Sequence, residues 1–189
     1  IALDLATGKP CADFGANGDV KIDPGMELEW PGEFQITSAP VVIGDVVVVG
    51  SSISDGQRVA APHGTVRAFD VRTGAAKWSW DPVPRDSADA ATKTWGEGYT
   101  DVGHANVWAP MSADTKRGLI FLPTSSPSPD FFGGLRPGDN KNANSVVALK
   151  AETGELAWAF QTVHHDVWDY DLPAQPTLLA LAAIASVLC

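Results

Sequence analysis

The feature that most constrains this chain is a short internal repeat. Ala2-Leu3-Asp4-Leu5-Ala6-Thr7-Gly8 returns as Ala68-Phe69-Asp70-Val71-Arg72-Thr73-Gly74 and again as Ala148-Leu149-Lys150-Ala151-Glu152-Thr153-Gly154. In the second and third copies a tryptophan follows the glycine by four residues, at Trp78 and Trp158, whereas the first copy has Ala12 there. Each copy reads as a hairpin: an alternating strand such as Val66 to Asp70, a turn whose glycine tolerates positive φ, and a second strand such as Ala75 to Trp80. Upstream of each full copy lies another hairpin. One runs over 40–43, a Gly44-Asp45 turn and 46–50; the other over 108–113, a turn at 114–118 and 119–122. Two hairpins make a four-stranded unit, and repeated units of this kind with periodic Gly and Trp are the signature of a β-propeller. The expected fold is therefore all-β: a partial β-propeller of about two four-stranded blades plus a trailing hairpin. A ring takes roughly four to eight blades, so further blades of a parent chain are expected to cover the apolar end faces.

Composition narrows the function. Eighteen Gly, fourteen Pro and seven Trp against two Met argue for short strands and tight turns over a helical bundle. A formal charge of −10 repels nucleic acid, which is excluded as a partner. Cys11 and Cys189 belong to no CxxC or Cys/His cluster, so zinc and thiol-exchange chemistry have no sequence support. The start carries no signal-peptide pattern and no initiator Met, and the expectation is that preceding sequence is missing. The apolar run Leu178 to Cys189 is twelve residues, short of the roughly 20 that span a bilayer. Its texture breaks from what precedes it, so the expected division is a propeller segment over 1–178 and a divergent or truncated tail over 179–189.

Chemistry concentrates in Thr162 to Pro176, where two His, three Asp and two aromatics fall within the eight positions from His164 to Asp171. Desolvating several ionisable groups together requires compensating partners, often a cation. Three chemistries compete: a transition metal on the His pair, a hard cation on the carboxylates, or a general base working with an acid. Adjacent His residues on an extended segment point to opposite sides, which favours the carboxylates. A solvated polar loop is the bland alternative. Trp78 and Trp158, at the end of the repeat, read as packing residues that dock one blade on the next. Trp108, in Asn106-Val107-Trp108-Ala109-Pro110, stands outside the repeat and reads as functional. His165 reads as a structural histidine and Gly138 to Asn142 as a turn.

The stretch HHDVWDYDLPAQPT, His164 to Thr177, together with the Ala-x-Asp-x-x-Thr-Gly-x-x-x-Trp blade motif, resembles the quinoprotein dehydrogenases that use pyrroloquinoline quinone (PQQ). The likeness is to the branch of membrane-bound glucose and quinate dehydrogenases and covers Ile1 to Leu178, a minor part of a family catalytic domain. The resemblance implies an eight-bladed parent propeller. It makes Asp169 the base that takes the substrate hydroxyl proton while hydride passes to the quinone. A calcium ion, or magnesium in its place, would polarise the quinone carbonyl. By the same resemblance Asp55, Ser126 and Asp169 would contact that ion, with Ser126 standing where relatives carry an Asn. Trp108 would stack on the cofactor, and Thr37 and Ser52 would make polar contacts to it. A sugar or cyclic polyol is the implied substrate, glucose first among them, with ubiquinone or a cytochrome as electron acceptor. The implied location is the periplasm, with any membrane anchor outside this chain. A basic residue toward the quinone would come from a later blade, so little turnover is expected of these residues alone. The competing class is a non-enzymatic propeller scaffold of the outer-membrane protein assembly type, which shares the blade repeat but has no use for the carboxylate loop. A decayed gene product is the third possibility.

Overall fold

The computed structural model describes residues 1–179. The tail expected over 179–189 therefore lies, Leu179 apart, outside the described residues. Ten strands alternate with three short 3-10 turns: β1 Phe34–Gln35, β2 Val41–Ile43, β3 Val46–Val49, β4 Ser52–Ile53, β5 Val66–Asp70, β6 Ala76–Trp80, β7 Ser112–Asp114, β8 Leu119–Pro123, β9 Ser145–Lys150 and β10 Leu156–Gln161. They form two four-stranded antiparallel sheets, ordered β2-β3-β5-β6 and β7-β8-β9-β10, plus the small pair β1-β4. Both sheets run in chain order from one edge to the other, as the two-hairpin reading requires, and neither closes on itself.

The blade motif is explained by its hydrogen bonds. Asp70 Oδ1 accepts from Arg72 N–H, Thr73 N–H and Thr73 Oγ1, while the Gly74 amide donates to the Asp70 carbonyl. Asp4 repeats this with Thr7 and Gly8. The third copy has Lys150 in place of the Asp and keeps the Gly154-to-Lys150 backbone bond. The three turn glycines have φ of 67°, 71° and 73°, which a Cβ disfavours. The first copy forms this turn but not a full hairpin; outside the turn only a single bridge, Leu3 to Pro10, joins its arms. With Ala12 at the tryptophan position it has no large side chain there to hold a second strand. The strand expected to begin at Trp108 begins at Ser112, which leaves Trp108 in the loop that enters the second blade.

The core lies between the two sheets. Val46 and Val48 on β3, Val66 and Ala68 on β5, Ile120 and Leu122 on β8 and Val147 and Leu149 on β9 are buried at every second position, with Val107 and Met111 among them. Each fully buried aliphatic side chain of this size contributes about 1.5–3 kcal/mol. A satellite cluster of Val83, Trp95, Val102, Ala105 and Ala143 packs the long connection between the blades.

The blades are also locked at their turn ends. Trp78 donates its Nε1–H to the Ala151 carbonyl at 2.9 Å, and its ring lies where a Cβ on Gly154 would fall. One repeat earlier the same lock is made differently: the Gly15 amide donates to the Thr73 carbonyl, and Phe14 and Val20 lie over Gly74. Trp158, the equivalent of Trp78 on β10, lies beside Phe121 with ring centroids 5.8 Å apart and is 45% exposed.

Candidate functional site

Hairpin turns gather at one end of the blades and the connecting loops at the other, and it is the loops that build a cleft. Its volume is about 420 Å³, and it is lined by Ser52, Ile53, Asp55, Trp108, Asp169 and Asp171. Four of these come from the sequence expectations; of the three carboxylates, Asp169 and Asp171 share one loop and Asp55 comes from a segment more than a hundred residues earlier.

Asp55 lies two residues after β4. Its loop is held on one side by Ser54 N–H donating to the Glu33 carbonyl and on the other by Gly56 N–H donating to Asp130 Oδ2. Glu33, itself buried, pairs with Arg58 at 2.6 Å and so ties the far end of the loop back to β1. Asp55 stays accessible at the cleft rim. The protein around it still desolvates it enough to raise its carboxyl above the ordinary value; Asp130 and Asp171 add to the rise and His104 opposes it. Behind it, buried His104 bonds Asp130 at 3.0 Å, and ligating atoms of Asp55, His104 and Asp130 lie within 4.8 Å of one another. Burial pushes Asp130 up, but its bond to and charge from His104 and the Gly56 amide outweigh that and leave it below its ordinary value.

The second wall is the loop after β10. Asp169 has φ +61°, left-handed backbone that a non-glycine residue rarely adopts. Desolvation first, then the charges of Asp171, Asp130, Asp55 and Asp166, push its carboxyl up to about 6. Asp171 is raised as well, by burial, against the pull of its bonds from the Ser126 amide and the Trp108 indole. Those bonds are 2.7 Å and 2.6 Å, so Asp171 fixes the orientation of the Trp108 ring. Lysine and arginine are absent from the cleft lining. Three carboxylates without a counter-charge in the lining have the all-oxygen chemistry that suits a hard cation such as calcium. Trp108 beside them offers an aromatic plane.

Two expected contacts are not brought to this cleft. Thr37 lies exposed between β1 and β2 and is not part of the lining. The Ser126 hydroxyl is buried and donates to Asp166, with Asn144 Nδ2 donating to it in turn; its backbone amide reaches the site through Asp171. Ser126 thus organises the loop from beneath. His165 Nδ1–H donates to the Gly138 carbonyl, 2.9 Å away, and the residue is held at φ +48°. Five residues were given no individual role by the sequence reading: Asp171, Asp166, Asn144, His104 and Asp130. For Asp171 a signal existed, because it stands two residues from Asp169 in Trp168-Asp169-Tyr170-Asp171. Asn144 sits just beyond the segment read as a turn, and nothing local marks His104 and Asp130, which meet only through the fold.

The fold and this cleft define a class, and comparison with known proteins agrees with it: residues 1–186 match the family described as PQQ, glucose/ethanol/alcohol dehydrogenase, beta-propeller domain. The chain belongs to that family. It is 41% identical over 181 residues to the glycerol dehydrogenase large subunit of Gluconobacter oxydans, covering 95% of this chain and 24% of that protein. With the quinate/shikimate dehydrogenase (quinone) of Acinetobacter baylyi it shares 42% identity over 95% of this chain and 22% of the relative. The quinoprotein glucose dehydrogenase of Escherichia coli is 39% identical over 94% and 22%. Among solved structures, the quinohemoprotein alcohol dehydrogenase of Comamonas testosteroni superposes with a TM-score of 0.67 at 29% identity, covering 78% of this chain and 23% of that one. A europium-containing methanol dehydrogenase gives 0.61 at 32% identity, covering 73% and 26%. The chain spans about a quarter of the length of the relatives it matches.

Proposed function

We propose that this chain forms part of a PQQ- and calcium-dependent dehydrogenase that oxidises a sugar or cyclic polyol, glucose being the first candidate. The observation that carries the reading is the meeting of Asp55, Asp169 and Asp171 in one cleft beside Trp108. Relatives that act on glucose, glycerol and quinate or shikimate, by their names, support the substrate class. A propeller scaffold gains nothing from three unneutralised carboxylates, whose mutual repulsion weakens the fold.

The residues fit the implied groups. The cleft is within the size range of small-molecule sites, and it has one aromatic plane and no basic side chain, so an anionic cofactor can enter only with a cation between it and the carboxylates. Asp55, Asp169 and Asp171 would hold that cation; Trp108, oriented by Asp171, would face the cofactor plane, with Ser52 at its edge. When bound, the quinone accepts the electrons and the cation polarises it. Asp169, which unlike Asp166 and Asp171 accepts no hydrogen bond among the described residues, takes the proton of the substrate hydroxyl. Raised to about 6 in the absence of the cation, it is ionised at pH 7 and so able to accept that proton. Electrons would pass on to ubiquinone or a cytochrome, and the site would work in the periplasm. Among the described residues no helix is long and apolar enough to cross a membrane; the anchor and remaining blades would come from the rest of the protein.

Titration with PQQ, following tryptophan fluorescence, tests the reading. Saturable quenching that requires calcium and disappears in an Asp55→Ala, Asp169→Ala double variant is expected; quenching indifferent to calcium or to both substitutions would remove the cation site from the proposal.

The same carboxylates set a pH dependence. A carboxyl raised in the folded state stabilises the fold while protonated, below its ordinary value near 3.8, and this contribution is lost as pH rises through about 6. Cation binding reverses the loss because it favours the ionised form. Calcium should therefore raise the melting temperature more at about pH 7 than at about pH 5. An equal gain at both, measured by scanning calorimetry, would mean that Asp169 is not among the ligands.

A further inference from the structure

Asp169 sits in left-handed backbone, which few non-glycine residues adopt, and its surroundings hold it there. Its neighbours on both sides are held by one carboxylate. Asp166, 1% exposed, accepts the Trp168 amide on Oδ1 at 3.0 Å and the Tyr170 amide on Oδ2 at 2.7 Å. Oδ2 also accepts from Asn144 Nδ2 at 3.0 Å and from the Ser126 hydroxyl. Those two donors belong to the ends of the second blade: Ser126 lies three residues after β8 and Asn144 directly before β9. Asn144 Nδ2 reaches the Tyr170 carbonyl as well, at 2.9 Å. The loop on either side of Asp169 is thus fastened to rigid strands, whereas the Asp169 carboxylate itself has no hydrogen-bond partner among the described residues and is left directed by its backbone alone.

Resting on the quinoprotein reading above, we infer that Asp166 is a positioning residue: it clamps the amides before and after Asp169 and so aims that side chain into the cleft. Asp166 is too deeply buried to touch substrate or cofactor. Its action goes through Asp169, and it should show in turnover more than in binding.

The substitution Asp166→Asn separates these. Three donors converge on Oδ2, so the amide NH2 must settle at the Oδ1 position, where it faces the Trp168 N–H and replaces one bond with a clash between donors. In the complete enzyme reconstituted with PQQ and calcium, kcat should fall about 10- to 100-fold, the size expected when a reacting group is displaced by about an ångström. The substrate KM and the PQQ affinity should stay near their original values. Independently of turnover, hydrogen exchange at the Trp168 and Tyr170 amides should quicken while the β8 and β9 amides keep their protection. Should Asp166→Asn fail to fold, Ser126→Ala removes one anchor of the clamp and should give the same pattern at smaller size. A wild-type kcat, unchanged exchange at both amides, or a kcat loss matched by an equal loss of PQQ affinity would overturn the inference. Wild-type protein that binds no PQQ with calcium would instead sink the functional reading, and the exchange data would still decide the clamp.

Discussion

Asp169→Asn should abolish most turnover while leaving the metal-free fold at least as stable as before. The two effects have one cause. Asp169 stands among Asp171, Asp130, Asp55 and Asp166, and desolvation with their charge pushes its carboxyl up to about 6. Holding an ionised carboxylate there costs stability, and asparagine keeps the shape while removing the charge. A base placed to take a hydroxyl proton contributes about 10²–10⁴-fold to rate, and the substitution should remove that factor from kcat in the complete, PQQ-loaded enzyme. The melting temperature of the calcium-free protein at neutral pH should hold or rise, and its dependence on pH between about 4 and 6 should flatten. If kcat survives, Asp169 is a cation ligand only and the proton goes elsewhere. If stability falls instead, the carboxylate is making a contact that its present surroundings do not include.

How much of this was legible beforehand depended on the range of the interactions. The blades were readable because every part of the signal is local. Asp70 bonds Thr73 three residues away, Gly74 must take positive φ, and the alternation that opens Val66 to Asp70 decides which side is buried. The same local logic shows why the first copy is incomplete: it has the Asp4–Thr7 turn but no tryptophan to hold a second strand. In the cleft, the resemblance to a known family supplied Asp55, Trp108 and Asp169, and the fold brings those three together. Ser126 was matched by position, but position says nothing of where a hydroxyl points, and here Asp166, forty residues on, has captured it. His104 and Asp130 were invisible for the same reason. Each is unremarkable in its own segment, and only the packing of the inter-blade connection beneath the Asp55 loop turns them into a buried pair.

Gly154→Ala is expected to weaken the contact between the blades, and comparison with Gly8→Ala isolates why. Both glycines occupy the same place in the repeat, with φ of 73° and 67°. An alanine at either pays the left-handed backbone cost, about 1–2 kcal/mol. At Gly8 nothing lies within 4 Å of the added Cβ, whereas at Gly154 it meets the Trp78 ring at 2.6 Å. Overpacking of that kind adds about 1–3 kcal/mol, and it also strains the Trp78 bond to the Ala151 carbonyl that joins the blades. The expected totals are about 2–5 kcal/mol for Gly154→Ala and about 1–2 for Gly8→Ala, read from urea unfolding of the two variants. In a Trp78→Ala background the excess at Gly154 should vanish, because only the backbone term remains. Equal costs at the two sites would show that Trp78 does not dock on the next turn. Trp158, exposed on β10 and lacking a turn to receive it, supplies the converse: its truncation in this chain should cost less than that of Trp78, and the difference should close once a following blade is present.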